Sequence, residues 1–346
     1  MSKGCIRSAL ACRTRGPLLV LVLVAGLSAC ERPPMQSTQA GYRGLAMVQI
    51  TDPRLNAGQR ALNSVPEALP KPEITADTPL AGDTFKNVQV LKDLPVPEFT
   101  RLMVAMTTWV APTQGCAYCH AGADLSSDKL YTKVVARRML QMTRHINADW
   151  HAHVGTTGVT CYSCHRGHNV PEQIWFTDPG PQHPSAIAGN KNGGDTPSPV
   201  VRLAALPDDP FTTFLETPRE IRVVSTSALR QDGMGPSIKQ AEQTYGLMMH
   251  ITQALGVNCT FCHNSRSFFD WDQSTPQRAT AWYGIRLVRD LNGRYLGPLQ
   301  STFPPNRLGP TGDSPKVNCA TCHQGASKPL YGVSMLPDYP ELRGAH

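Results

Sequence analysis

No stretch of this 346-residue chain carries the roughly 20 consecutive apolar residues that a membrane-spanning helix needs. The longest apolar run, L-L-V-L-V-L-V-A-G-L-S-A from Leu18 to Ala29, is about the length of a signal-peptide core. Acidic residues are absent before it, whereas Lys3, Arg7, Arg13 and Arg15 form a basic n-region, so residues 1–29 are expected to direct export. Basic runs are absent from the rest of the chain, and the formal charge of +7 falls to +3 once the four signal residues are set aside. That balance argues against nucleic acid as a partner. Sustained periodicity is scarce as well: 30 prolines and 28 glycines indicate few helices joined by long irregular connections.

Cysteine, by contrast, is patterned. Eight of the eleven cysteines fall in four copies of C-x-x-C-H, ending at His120, His165, His263 and His323. Such a pair serves as a redox dithiol, as half of a zinc site or, with His directly after it, as an attachment site for c-type haem. In the haem case each thiol adds to a vinyl group and the adjacent His coordinates the iron from one face. Zinc would need pairs that combine into tetrahedral four-ligand sites, and the fixed His of every copy would stay unexplained. Four complete copies point to four covalently bound c-type haems. The thioether sulfurs are then those of Cys116, Cys119, Cys161, Cys164, Cys259, Cys262, Cys319 and Cys322, and the four motif histidines are axial ligands. Propionates and iron together add about −4 to −8, leaving the loaded protein near neutral or mildly acidic. Cys5 and Cys12 lie inside the signal. The stretch L-S-A-C, Leu27 to Cys30, resembles the bacterial lipobox, which makes Cys30 a lipid-bearing N-terminus that tethers the protein to the outer face of the cytoplasmic membrane.

The chain reads as mainly α with long irregular segments. Residues 30–94 form an extended N-terminal segment, with short strands expected at A-M-V-Q-I and N-V-Q-V-L. Residues 95–171 hold the first two motifs, 172–236 a connector rich in Pro, Gly and Asp, 237–330 the last two motifs, and 331–346 a C-terminal tail. Helices are expected over 98–110, 128–147, 237–255 and 279–291, one before each motif. The order suggests a multihaem cytochrome c built by internal duplication of a two-haem unit.

Each iron has one axial position left after its motif His, and in electron carriers Met or His fills it, Met giving the higher potential. The first helix offers Met103 and Met106, the second Met139 and Met142, the third Met248 and Met249. The fourth offers neither Met nor His. Among the unspent histidines, His145, His151 and His153 lie between the second helix and the second motif, and one of them can reach across to the fourth haem. His168, His183, His250 and His346 read as surface or packing residues. A Met on an apolar helix face is more often core filler than ligand, but here such a helix precedes each of the first three motifs.

Four paired motifs, three Met-bearing helices, a His upstream of the second motif and a lipobox together resemble the tetrahaem cytochrome subunit of purple bacterial photosynthetic reaction centres. The resemblance implies Met103, Met139 and Met248 as sixth ligands of the first three haems and His153 for the fourth. It also implies that Arg278, in W-D-Q-S-T-P-Q-R, lies beside the third haem and raises its potential. With both axial positions filled the protein would be an electron carrier, not an enzyme. It would cap the pigment-bearing core subunits at the periplasmic face of the membrane and re-reduce the photo-oxidised special pair. Its electrons would come from a soluble cytochrome c or a high-potential iron-sulfur protein. Two readings compete: a respiratory or metal-reducing multihaem lipoprotein, in which bis-His haems dominate, and a multihaem reductase with one open iron site.

Overall fold

The computed structural model describes residues 34–39, 47–178, 199–204, 206–207, 209–223 and 238–344. The signal, Cys30, His183 and His346 lie outside the described residues. Among the described residues no helix is long and apolar enough to cross a membrane.

The N-terminal segment is more structured than its composition suggests. β1 (Gln36–Gln39) pairs antiparallel with β2 (Val48–Thr51), Ser37 opposite Ile50, so A-M-V-Q-I supplies a strand as expected. N-V-Q-V-L does not. Asn87 turns into the left-handed region at φ 64, and its side-chain amide donates to the Ser126 carbonyl and to Asp128 Oδ1, while Val88 and Val90 pack against the first core. Directly after β2, α1 (Pro53–Leu62) starts where Asp52 accepts from the Arg54 amide and Pro53 takes the first helical position. Both are helix-start signals in the sequence.

The four long helices lie within three residues of their expected bounds: α2 (Val96–Val110), α3 (Tyr131–Asp149), α5 (Ile238–Leu255) and α6 (Pro276–Asp290). α2 begins at two prolines and stops at Ala111, before Pro112, and α6 begins with Pro276 behind the Thr275 cap. Two short helices are formed by motif residues themselves, α4 (Cys161–His165) after α3 and α7 (Cys319–His323) after α6. A two-residue ladder, β3 (Ile174–Trp175) against β4 (Lys316–Val317), ties the chain leaving α4 to the chain entering α7.

Three apolar clusters hold these parts. The first joins Leu102, Ala105 and Trp109 of α2 to Leu140 of α3 and to Leu336, Tyr339 and Leu342. The C-terminal tail contributes Met335, Leu336, Tyr339 and Leu342 to this core: Tyr339 is 1% exposed, its ring packs edge-on against Trp109, and the Arg101 guanidinium lies 4.2 Å over it. The second cluster joins Leu247 and Ile251 of α5 to Ile285 and Val288 of α6 and to Phe211, Phe214 and Leu215. Those last three belong to the Pro/Asp-rich connector, which covers an apolar flank that two helices alone leave open. Burying each such side chain is worth about 1.5–3 kcal/mol. The third, Ile146 with Leu287, Leu291 and Tyr295, joins α3 to α6 and so couples the two halves. α7 rests on the end of α5, where the Gly325 amide donates to the Ala254 carbonyl at 2.7 Å. Gly256, at φ 65, makes this approach possible, because a Cβ there would stand 2.2 Å from the Gly325 oxygen.

Candidate haem centre

Where each histidine spends its ring nitrogens separates the candidates. Nδ1 meets a backbone oxygen in His120 (Leu125, 3.0 Å), His165 (His168, 2.8 Å), His263 (Phe268, 2.7 Å) and His323 (Ala326, 2.8 Å). One histidine outside the motifs does the same: His153 Nδ1 meets the Thr280 carbonyl of α6 at 2.9 Å. A carbonyl only accepts, so Nδ1 carries the proton and Nε2 keeps its lone pair for a metal. His145 is arranged differently. Its Nδ1 meets Asp149 at 2.5 Å and its Nε2 meets Asp290 at 2.6 Å, which leaves no nitrogen for iron. His168 pairs with Glu172 at 3.4 Å, and His250 packs edge-on against Phe211 inside the second core, where burial pushes its pKa down to about 4.

His153 and His323 face one another with ring centres 6.0 Å apart. Imidazole nitrogens bind metals at about 2 Å, so two rings on opposite sides of one ion have centres about 6 Å apart. Burial lowers the pKa of both rings, that of His323 to about 4 with His153 adding to the effect. Both are therefore neutral at pH 7, the form a metal needs.

A continuous cavity of about 1000 Å³ runs past this pair. Its wall includes Met103, Met106, Met139 and Met142 together with the Cys and His of the first, second and fourth motifs. The volume is at the upper end of small-molecule sites, and its lining is mostly apolar, as a porphyrin face requires. Met248 is placed differently: it packs against the second core, and Cys259, Cys262 and His263 likewise lie off this cavity.

Four of the motif thiols lack the depressed pKa of a reactive dithiol. Burial pushes Cys119, Cys161 and Cys262 up to about 11 and Cys319 up to about 12, whereas reactive dithiols have depressed values. Among the described residues no three His, Cys, Asp or Glu side chains converge as a metal cluster. Cys164 and Cys322 meet across the contact of α4 and α7, where the structure joins them in a disulfide. A sulfur holds a disulfide or a thioether, not both, so haem attachment at either position requires this bond to be open. The two attachment sites are neighbours, not independent.

Arg278 lies in the first turn of α6, against the loop that follows the third motif. Its guanidinium stacks 4.2 Å over Trp271 and donates to the Asp270 carbonyl and to Ser274 Oγ. Its charge adds to burial in lowering the pKa of His263 and works against burial at Cys262. Thr280, the partner of His153, could not be read from the sequence, because it lies 127 residues away on a helix with no ligand of its own.

Residues 31–343 match the family described as photosynthetic reaction centre cytochrome C subunit. The chain is 52% identical over 337 residues to a photosynthetic reaction center cytochrome c subunit of Rubrivivax gelatinosus, covering 97% of this chain and 91% of that one. It is 51% identical to the protein of the same description from Thermochromatium tepidum, covering 94% and 80%, and 44% identical to that of Roseobacter denitrificans, covering 76% and 73%. This chain belongs to the photosynthetic reaction centre cytochrome c subunit family.

Proposed function

We propose that the chain is a tetrahaem electron carrier that re-reduces the photo-oxidised special pair with electrons from a soluble periplasmic cytochrome c or high-potential iron-sulfur protein. Membership of a cytochrome c family brings covalently bound haem and photosynthetic electron transport with it. The finer reading assigns four haems, with the eight motif cysteines as attachment points, His120, His165, His263 and His323 on one face, and Met103, Met139, Met248 and His153 on the other. When bound, the haems supply one-electron outer-sphere transfer. The observation that carries this reading is the uniform Nδ1-to-carbonyl bond of the four motif histidines and His153, which leaves five Nε2 atoms for iron.

The chain's own residues set the rest. Three thioether ligands and one imidazole make the first three sites higher in potential than the fourth. Arg278 adds a positive charge beside the third site and raises it further. Internal duplication of a two-haem unit is supported by motif geometry: the first and third are 3-10 turns whose His reaches a carbonyl five residues on, the second and fourth are α turns whose His reaches one three residues on. A lipid on Cys30 would hold the protein at the periplasmic face, against the pigment-bearing core subunits. The test is flash spectroscopy on membranes of the source organism. Oxidation of c-type haem within microseconds, in step with special-pair re-reduction and lost on deletion of the gene, is expected. Haem that stays reduced through the flash overturns the reading in favour of a respiratory lipoprotein.

A further inference from the structure

The helix that lacks a ligand of its own is shaped around one that comes from elsewhere. α6 carries glycine at position 284, mid-helix and buried, although glycine is the poorest helix former after proline. A Cβ at Gly284 would stand 2.5 Å from Cε1, 2.9 Å from Nδ1 and 3.2 Å from Nε2 of His153. The imidazole fills the space an alanine methyl would take. One turn earlier on the same face, the Thr280 carbonyl receives Nδ1–H at 2.9 Å. Closing to that distance brings the ring against the bare backbone at 284. Gly293, in the turn that continues α6, has nothing within 4 Å of its own Cβ position, so helix position alone does not produce such a contact.

We propose that Gly284 is a positioning residue: its missing side chain and the Thr280 carbonyl form a slot in α6 that aims Nε2 of His153 at the iron held by His323. The proposal rests on the axial pairing of His153 with His323 put forward above. The slot explains how a helix without Met or His still serves the fourth site: it contributes a space and an acceptor instead of a ligand. It also opposes helix propensity, since Gly→Ala at an unobstructed helical site stabilises.

The experiment is potentiometric titration of each haem, with electron paramagnetic resonance of the ferric protein, on full-length holoprotein. Gly284→Ala, the control Gly293→Ala and His153→Met are compared with the parent. Gly284→Ala is expected to shift the midpoint and the low-spin signature of one haem, the one that His153→Met alters, while Gly293→Ala moves none. A loaded Gly284→Ala with all four haems unchanged, beside a His153→Met that changes one, overturns the slot and leaves the ligand assignment standing. If His153→Met changes no haem, the axial pairing itself fails and the slot with it. A second measurement does not need a native ligand. In His153→Ala, free imidazole added to the holoprotein binds the vacated iron position, and adding Gly284→Ala is expected to weaken that binding about tenfold or more. Equal affinity in the two variants overturns the proposal.

Discussion

The first and third motifs are built unlike the second and fourth, and the contrast follows where each pair sits. Cys116 and Cys259 are exposed, in 3-10 turns, and their histidines lean on carbonyls of Leu125 and Phe268, whose side chains are 58% and 46% exposed. The second and fourth are capped α turns. Thr160 with Ser163, and Asn318 with Thr321, each form a reciprocal capping box, and each turn ends in a left-handed residue, Arg166 or Gln324. Those two residues then cross over: Arg166 donates to the Cys322 carbonyl at 2.9 Å and Gln324 to the Cys164 carbonyl at 3.4 Å. Such reciprocity is the mark of a two-fold contact, here within one chain. The inner pair forms a fixed junction, while the first cysteine of each outer motif is exposed.

The sharpest way to break this comparison is at the junction itself. Proteolysis of holoprotein under non-reducing conditions, followed by mass spectrometry, is expected to recover Cys164 and Cys322 on haem-bearing peptides, as it does Cys116 and Cys259. Recovery of the Cys164–Cys322 cross-link would leave the inner motifs with one thioether each at most. A substitution tests the same contrast by stability. Thr321 is 0% exposed, donates to the Gln173 carbonyl and accepts from the Asn318 amide, so Thr321→Val strands two buried groups and is expected to cost about 3 kcal/mol. Thr260, in the third motif, has the Val48 carbonyl and Asn258 Oδ1 as alternative acceptors for its one hydroxyl proton, at a half-buried position where water can substitute. Thr260→Val should cost under about 1 kcal/mol. Thermal unfolding of the two holoproteins decides it, and equal losses would erase the distinction.

Histidines provide the next contrast. His153→Met is expected to raise the potential of one haem and leave three unchanged. His145→Gln should move none of the four, yet lower stability by about 1–3 kcal/mol, because it disturbs the carboxylates of Asp149 and Asp290 and the Trp150 indole that shares Asp290. A shifted potential in His145→Gln would show that the clamp reaches an iron.

Much of this was legible along the chain. The motifs and the four long helices are local patterns, set by spacing and by Pro at helix starts. α1 was equally legible in Asp52–Pro53 but was hidden by the Pro/Gly-rich composition around it. The alternation in N-V-Q-V-L has a strand's period, yet Asn87 turns the chain and no partner strand comes alongside. Phe211, Phe214 and Leu215 were masked by the prolines and aspartates of the connector, and their burial follows from a flank formed by α5 and α6 far from them in sequence. The choice among His145, His151 and His153 depends on Asp290 and Thr280, more than 100 residues away. No periodicity reports contacts of that range.

Two aspartates carry the comparison into pH. Asp128, near the first motif, is held at about 2 by hydrogen bonds from Arg137 and Asn87 that outweigh burial. Asp313, just before the fourth, is raised by burial, but the bonds from Lys316, the Thr177 amide and Thr311 outweigh that and also hold it at about 2. Both are depressed in the folded state, so each contributes stability that is full above an unfolded value near 4 and is lost as the pH falls toward 2. The two differ in screening. Asp128 is 38% exposed and faces solvent, whereas Asp313 is 18% exposed and bonds a Lys316 side chain that is 6% exposed and lies over Trp175. Asp313→Asn should therefore cost about 2 kcal/mol at pH 7, and the deficit should fade as the pH is lowered from 4 to 2. Asp128→Asn should cost under about 1 kcal/mol, since solvent discounts exposed pairs. Denaturant unfolding at pH 7 and pH 3 measures both, and similar losses for the two variants would mean that the surroundings of the first motif are held no more loosely than the junction.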